Sequence, residues 1–213
     1  DPKKLLEMVS IVNFPAAIAL QTNTPHVLQN IKRKNIPFDK YVAFQKDLMS
    51  KSKDNSVTEL ILCLPGETKE TFLDTLRDVI NSGVQSIVIY TMMNLKGTPM
   101  SSVESSERYN HAIRHRIVPR QFSMIDGIKI MDTEEVVGAT EDMSFNDYLS
   151  LRGLSFIVTT FFSSAELSPL KKFLLEYKMD IAEWIFSISE RLPEYHELYQ
   201  NYKAFLKETE DAL

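Results

Sequence analysis

Apolar residues in the first hundred positions alternate between short continuous runs and helical spacing. Val57 to Leu64 is a run rich in β-forming residues, short enough to be a buried strand, and Pro65-Gly66 ends it. From Thr68 to Gly83 the apolar residues recur three and four positions apart, between a capping threonine and a glycine suited to a helix end. Val84 to Met92 is a second apolar run. A helix of this length between two buried strands predicts a parallel β–α–β unit.

The segments before this unit extend the same alternation. Ala16 to Gln21 is a small-residue apolar run typical of a strand, and Thr24-Pro25 is a helix-start signal. Asp39 to Ser50 has the spacing of a second helix, so residues 1–99 predict the order β-α-α-β-α-β after a helical stub at Lys3 to Met8. Three parallel strands leave open edges and uncovered faces. We therefore expect assembly with another copy, or further strands outside this chain.

The pattern changes after Pro99. Ser101 to Ile113 is predicted as a helix and Ile117 to Phe122 as an extended segment. Residues 127–131 and 135–137 are short β-like runs, predicted to form a hairpin around Asp132-Thr133.

From Ser144 onward the spacing is helical throughout. Ser144 with Asp147 three residues later has the arrangement of a capping box. Further helix starts are predicted at Ser168-Pro169, Asp180 and Leu192-Pro193. The chain therefore divides into an α/β part at residues 1–100, a connecting region with a short hairpin at 101–143, and a helical region at 144–213.

Composition narrows the possible classes of protein. The apolar content of 44% supports a real core, and a net charge of −5 with a pI near 5.5 gives no basis for general nucleic-acid binding. No run approaches the roughly 18 apolar residues that a membrane span needs, so no membrane partner is expected. The single cysteine, Cys63, excludes an internal disulfide framework and fits a reducing, cytoplasmic location. A chain that begins Asp1-Pro2 is expected to be a piece of something longer.

Candidate chemistry lies where the predicted strands end. Ligands of α/β proteins bind at the carboxyl ends of parallel strands. Here those ends are the Leu64-Pro65-Gly66-Glu67 turn and the Lys96-Gly97-Thr98-Pro99 loop. Both contain a glycine, which allows a ligand to approach the backbone closely.

Three separated segments together resemble a known family. They are IALQTNTP at residues 18–25 with Arg33 twelve positions after Gln21, ELILCLPGET at residues 59–68, and KGTP at residues 96–99. In this order and spacing they resemble the second half of the barrel of radical S-adenosylmethionine (SAM) enzymes, closest to the branch that carries a cobalamin-binding domain before the barrel. The resemblance covers roughly residues 10 to 100. The region from Arg116 to Arg152 also resembles the tail that follows the barrel in that branch.

The resemblance implies a half-barrel of parallel strands and roles for matching positions. Gln21 would face the SAM ribose or methionine moiety, and Glu59 would accept hydrogen bonds from the ribose hydroxyls. Arg33, on the helix after the first strand, would pair with the methionine carboxylate, which a guanidinium can bind bidentately. Ile61 to Gly66 would pack on adenine, and Gly97-Thr98 would meet the adenine edge through backbone groups.

One position departs from the family pattern. The family usually has glycine where Cys63 stands, and a side chain there is expected to narrow the adenine pocket. Interpretations without a ligand also stay open: Gln21 as a strand-end polar residue, Arg33 as a solvated charge, and Glu59 as a partner of a local Arg or Lys. Cys63 is interpreted as a small core residue.

The family's chemistry needs a [4Fe–4S] cluster held by the three cysteines of a CxxxCxxC loop, and thiolates hold such clusters. This chain has one cysteine, in a different place. In the family the loop follows the first barrel strand, so it would precede Asp1. We therefore predict the C-terminal portion of a radical SAM enzyme, inactive alone, with no catalytic residue and no metal ligand of its own.

The implied parent would cleave SAM reductively to a 5′-deoxyadenosyl radical. That radical, or a methyl group relayed by cobalamin, would modify a small-molecule or other organic substrate. The alternative is a non-catalytic SAM-binding or protein-interaction module derived from the same fold. In either case we expect the isolated chain to self-associate through open sheet edges or exposed apolar faces.

Two further patterns have plain structural interpretations. His111 and His115 stand four apart on the predicted helix, a spacing that metals use, but flanking arginines favour a surface helix face. The stretch from Arg108 to Arg120 has four arginines and could hold a phosphate or an acidic partner. Salt bridges to acidic residues such as Glu134-Glu135 are the favoured interpretation.

Overall fold

The computed structural model describes Lys4, residues 16–50 and residues 56–213. The predicted helical stub at Lys3 to Met8 lies outside the described residues, Lys4 apart. The chain is an α/β protein with a three-stranded parallel sheet and a mainly helical C-terminal region, as the sequence predicts.

The first hundred residues follow the predicted order. The elements are β1 (Ala16–Gln21), α1 (Pro25–Asn30), α2 (Phe38–Ser50), β2 (Ser56–Leu62), α3 (Lys69–Asn81) and β3 (Ser86–Thr91). The strands lie side by side in the order β1-β2-β3, all parallel. Ala19 pairs with Glu59, which pairs with Val88, and a register shift follows Ala19 at the end of β1.

Local sequence explains the ends of α3. Thr68 and Thr71 form a reciprocal capping box, with each hydroxyl accepting a bond from the other residue's backbone N–H. Gly83 has φ +92°, the left-handed conformation that stops a helix. The apolar side of α3 is fully buried at Phe72, Leu76 and Val79, where it joins the core.

The helices cover one face of the sheet. Along β2, Ser56, Thr58, Leu60 and Leu62 are buried, and the Thr58 hydroxyl bonds the hydroxyl of Tyr41 on α2. The alternate residues of β2 are only half-buried, and Tyr90 beside them on β3 is 49% exposed. The face that carries Glu59 and Ile61 is thus the less covered one among the residues described.

A long antiparallel hairpin follows the sheet and corrects two predictions. A 3₁₀ turn (Pro99–Ser101) and α4 (Val103–Arg108) end before β4 (Ala112–Ile125), so the predicted helix to Ile113 is wrong. Asn110, at φ +50°, breaks that helix.

The hairpin turn is at Asp126-Gly127 and not at Asp132-Thr133. Both turn residues have positive φ, as a two-residue hairpin turn requires, and Asp-Gly is a favoured sequence for it. Asp132 and Thr133 lie inside β5 (Ile128–Ala139), where Thr133 pairs with Ile117. The extended segment at Ile117 to Phe122 is confirmed as part of β4.

The C-terminal region contains α5 (Phe145–Ile157), a π-helical turn (Val158–Phe162), a 3₁₀ turn (Ala165–Leu167), α6 (Ser168–Glu176), α7 (Ile181–Arg191), a 3₁₀ turn (Leu192–Glu194) and α8 (His196–Asp211). The Ser144–Asp147 capping box and the Asp180 cap are confirmed. Leu192-Pro193 begins the 3₁₀ turn that precedes α8, not the helix itself. Among the described helices, none is both long enough and apolar enough to cross a bilayer.

This helical region covers the outer edge of β3. Ser163 bonds both backbone groups of Ile87, its hydroxyl lying 3.0 Å from the nitrogen and 3.2 Å from the carbonyl oxygen. The buried Lys171 ammonium donates to the carbonyl of Gln85 at 2.8 Å. The sheet edge that the sequence left open at β3 is therefore closed by side chains from the same chain.

Candidate functional site

The polypeptide turns sharply where β1 ends. Gln21, the last residue of the strand, has φ +64° and is half-buried. Asn35 donates to the carbonyls of Leu20 at 2.8 Å and Thr22 at 2.9 Å. These bonds fix the backbone on both sides of Gln21.

Arg33 is part of the same support. Its Nη2 donates to the Ala19 carbonyl and its Nε donates to Asn35 Oδ1 at 2.9 Å. The residue lies just after α1 and not on it, because its backbone nitrogen bonds the carbonyl of Leu28 as the helix ends. Arg33 is half-buried at the strand end, so it is not a solvated helix charge. Its Nη1 has no bond within the described residues and is free to donate.

Helix α1 holds the turn that follows β2. Asn30 Nδ2 donates to the Pro65 carbonyl at 3.0 Å, and His26 Nε2 lies 2.7 Å from the Gly66 carbonyl oxygen. Gly66 has φ +83°, and a Cβ there would lie 2.4 Å from Asn30 Nδ2. A side chain at this position would displace Asn30, so the packing of the turn favours glycine.

A buried carboxyl group joins the ends of β1 and β2. Glu67 has no exposed surface, and the Thr22 hydroxyl lies 2.6 Å from its Oε1. Its Oε2 is buried with no hydrogen-bond partner in the part of the chain described. Thr22 Oγ1 in turn accepts a bond from the backbone N–H of Thr24 at 3.1 Å.

Burial changes the acidity of this group. Desolvation raises the pKa of Glu67 to about 8, and the bond from Thr22 opposes that rise only in part. The carboxyl is therefore largely neutral at neutral pH and presents an O–H. Sequence reasoning assigned no role to Glu67. The sequence does indicate one feature of this group. Glu67 lies between a predicted buried strand and a predicted helix, and Thr22 lies at the end of the preceding strand.

Glu59 and Ile61 lie on the less covered face of β2. Both are half-buried, and Ile61 pairs in register with Tyr90 of β3. Gln21 pairs with Leu60, the residue between them, after the register shift at the end of β1. Within the described residues, the Glu59 carboxylate has no hydrogen bond or ion pair, so no arginine or lysine partner is seen there.

Cys63 continues β2 with an unusual backbone. Its φ is +64°, in the region that glycine adopts most easily. The side chain is fully buried, with Sγ 3.6 Å from Met143 Sδ, and burial raises the pKa of the thiol. The interpretation as a small core residue is confirmed.

The loop after β3 is ordered by its own turn. Gly97 has φ +84°, with open space where a side chain would begin, and Thr98 Oγ1 donates to the Leu95 carbonyl at 2.8 Å. The following residues Pro99 and Met100 share a cavity of about 430 Å³ with Asn30 and Lys32 at the end of α1. The structure places Gln21 at the end of β1, Arg33 beside the Ala19 carbonyl, and Glu59 and Ile61 on β2, with Gly66 in the turn that follows. Gly97 and Thr98 come just before Pro99 and Met100 along the chain and are not among the residues that line the cavity.

The histidine pattern does not survive folding. His111 precedes β4 and His115 lies within it, so they do not share a helix face. His115 pairs with Glu135 at 3.6 Å, and Arg116 bonds Glu134, as the salt-bridge interpretation predicts. The described residues contain no group of three His, Cys, Asp or Glu that could hold a metal ion.

Comparison with known proteins gives one informative match. The chain is 31% identical over 93 residues to the cobalamin-dependent radical SAM methyltransferase TokK of Streptomyces tokunonensis. The match covers 43% of this chain and 14% of the relative, so the chain spans only a small part of that protein. No protein-family model matches the chain. The likeness supports an origin related to radical SAM proteins.

Proposed function

We propose that residues 10–100 form the second half of a radical SAM barrel and that the ends of β1 and β2 contact SAM. The observation that carries this proposal is that Gln21 and Glu59 lie on neighbouring parallel strands and that Arg33 bonds the carbonyl of Ala19, the residue that pairs with Glu59. Gln21 and Arg33 belong to the first segment that resembles the family, and Glu59 belongs to the second. The partial likeness to a radical SAM methyltransferase supports the same assignment.

The geometry supports a distinct role for each residue. Arg33 is held at the strand end with Nη1 available, which suits a charge-assisted hydrogen bond to the methionine carboxylate. Glu59 is half-buried without a partner among the described residues, so ribose hydroxyls would satisfy its oxygens. Ile61 offers an apolar surface to adenine, and Gly66 places its backbone in the adjoining turn. Gly97 and Thr98 would reach the adenine edge from the next loop.

The residues present do not fit an iron–sulfur cluster. The single thiol is buried against Met143, and its raised pKa disfavours the thiolate that a cluster needs. We infer that the [4Fe–4S] cluster and cobalamin belong to other parts of a longer parent enzyme, which would modify an organic substrate. This chain would supply the SAM-contacting strand ends and would be inactive alone.

Calorimetric titration of SAM into this chain tests the proposal. We expect weak binding that Arg33→Lys reduces about tenfold or more, because lysine keeps the charge but loses the planar pair of donors. Lys34→Ala removes an exposed charge from the adjacent position and should bind SAM as the wild type does.

The Cys63→Gly variant completes the test. Glycine relieves the positive φ, and because the Cys63 side chain packs in the core against Met143, its removal should leave SAM binding as in the wild type. If the wild type and Cys63→Gly both fail to bind SAM, the assignment of this strand end is wrong for the isolated chain.

A second candidate function is a non-catalytic SAM-binding or interaction module. The helical cover over the outer edge of β3 favours it, since this edge is already closed within the chain. The coding sequence separates the two: a CxxxCxxC loop encoded in frame before Asp1 supports the enzyme, and translation that begins immediately before Asp1 supports the module.

We also propose that the isolated chain self-associates through the apolar tip of the hairpin. Phe122, Met124, Ile125 and Ile128 are each more than half exposed. Light scattering at micromolar concentration should show a mass above that of the monomer. Ile125→Lys should lower it, and a sharp monomer mass for the wild type would contradict the proposal.

A further inference from the structure

A second cavity lies between the hairpin, α5 and α8. Its volume is about 330 Å³, at the lower end of the range for small-molecule sites. Each of the three elements contributes a polar and an apolar part to the wall: Arg116 and Ile117 from β4, Tyr148 and Arg152 from α5, and Phe205 and Thr209 from α8.

Arg152 is the least satisfied charged group in this wall. Its Nε is buried with no hydrogen-bond partner among the described residues, and its Nη1 lies 3.5 Å from the Ile89 carbonyl, at the limit of a hydrogen bond. The guanidinium carbon is 5.4 Å from the centre of the Phe205 ring. Across residues 16–50 and 56–213, no carboxylate forms an ion pair with Arg152.

A second guanidinium increases the positive charge of the cavity. Burial lowers the pKa of Arg152, and the charge of Arg116 lowers it as well. Glu134 bonds Arg116 through Nε alone. Glu208, the acidic side chain in the wall, is exposed and pairs with neither arginine in the described structure. A half-buried positive charge without a carboxylate partner is costly, so this arrangement favours an anion.

The remaining wall fits an organic molecule. The Tyr148 hydroxyl lies 3.1 Å from Thr91 Oγ1, which ties the cavity to the carboxyl end of β3. Ile117, Phe205 and Leu213 provide apolar surface beside the arginines.

We propose that this cavity binds a small organic anion, with its carboxylate or phosphate on Arg152 and Arg116 and its apolar body against Ile117 and Phe205. The planar guanidinium suits either head group, since both accept two parallel hydrogen bonds. The site stands apart from the proposed SAM contacts because it contains none of their residues. It can therefore fail or succeed independently of the proposed function.

The test is titration of this chain, labelled with ¹⁵N-arginine, with phenyl phosphate and with 4-phenylbutyrate. 4-Phenylbutanamide serves as the neutral probe. The Nε–H resonance of Arg152, identified by its loss in Arg152→Gln, should shift with at least one anion and not with the amide. Comparison of the two anions separates a phosphate site from a carboxylate site.

Variants show whether the charge in the cavity is responsible. Arg152→Gln and Arg116→Gln, each checked for folding by circular dichroism, should each weaken anion binding about tenfold or more. Glu208→Gln should leave binding unchanged or tighten it, because it removes a negative charge from the wall. Lys207→Gln removes the same charge as the arginine variants from an exposed position outside the wall and should have no effect.

Several results would overturn the proposal. They are no shift with either anion at millimolar concentration, an equal shift with the neutral amide, or equal weakening by Lys207→Gln and Arg152→Gln. If only one arginine variant folds, that variant against Lys207→Gln decides the outcome.

Discussion

Polar side chains line two regions of the sheet, the ends of β1 and β2 and the outer edge of β3. The two regions differ in which part of the chain supplies the hydrogen-bond partners and in which polar groups have none. At β1 and β2 the partners come from the α/β part itself, as with Thr22 and Glu67, which are 45 positions apart. At β3 the partners come from the helical region, as with Ser163 and Ile87, which are 76 positions apart. The contacts at β1 and β2 form within the α/β part of the chain. The contacts at β3 form only when the helical region has also folded.

The two regions also differ in which buried polar group lacks a hydrogen-bond partner. Around β1 and β2 the leftover group is a buried acid, Glu67, whose cost is limited because it can remain neutral. Beside β3 the leftover group is Arg152, which stays charged at any ordinary pH. The difference teaches that an acid can adapt to burial by keeping its proton, while an arginine keeps its charge and must be stabilised by the groups around it.

The largest effect is expected from Glu67→Gln. Since the pKa of Glu67 is about 8 in the folded chain and lower when unfolded, the folded state binds the extra proton. Its contribution to stability is fully present below about pH 4 and is lost as pH rises to about 8. The glutamine variant should match the wild type near pH 4 and exceed its unfolding free energy by about 5 kcal/mol well above pH 8.

Chemical denaturation at a series of pH values measures this. Glu70→Gln, in the exposed first turn of α3, is the matched control, and its unfolding free energy should change with pH as that of the wild type does. If the unfolding free energies of Glu67→Gln and of the wild type change with pH in the same way, the carboxyl is ionised in the folded chain.

A smaller effect separates the two turn glycines. Gly66 and Gly97 have nearly equal positive φ, but only Gly66 is packed against another side chain. Alanine at Gly97 should cost about 1 kcal/mol of unfolding free energy from backbone strain. Alanine at Gly66 should cost about 2 to 3 kcal/mol, since Asn30 must also move and release the Pro65 carbonyl. If thermal denaturation shows equal losses of unfolding free energy for the two variants, the contact of Asn30 on α1 with the turn does not stabilise it.

The smallest effect concerns the covered edge of β3. Ser163→Ala removes both bonds to Ile87 and leaves a backbone N–H without its partner, so we expect a loss of about 1 to 2 kcal/mol. Amide hydrogen exchange at Ile87 should quicken by about tenfold. Ser164→Ala, whose hydroxyl contacts Glu166 instead, should leave that exchange rate unchanged. Unchanged exchange in Ser163→Ala would mean that another group protects the edge.

The sequence predicted best where local rules apply. The strand and helix order of the first hundred residues, the Thr68 and Ser144 caps and the positive φ of Gly83 all follow from short spacings. The hairpin turns at Asp126-Gly127, a favoured turn sequence, and not at Asp132-Thr133 between the two apolar runs. The spacing of the apolar residues does not indicate that β4 and β5 extend over 14 and 12 residues.

The candidate sites show the same limit. The resemblance predicts Gln21 and Glu59 on two strands, and the structure places Gln21 at the end of β1 and Glu59 in the middle of the neighbouring β2. The burial of Glu67 depends on Thr22, and the cavity around Arg152 depends on α8, which lies far along the chain. Such groupings follow from tertiary packing, which the spacing of residues along the chain does not encode.

The most direct test of two separate ligand sites is a single arginine Nε–H spectrum, recorded after SAM and again after phenyl phosphate. SAM should shift the resonance of Arg33 and leave that of Arg152 in place, while phenyl phosphate should do the reverse. Shifts of the same resonances by both ligands, or an Arg33 resonance that does not respond to SAM, would contradict the account.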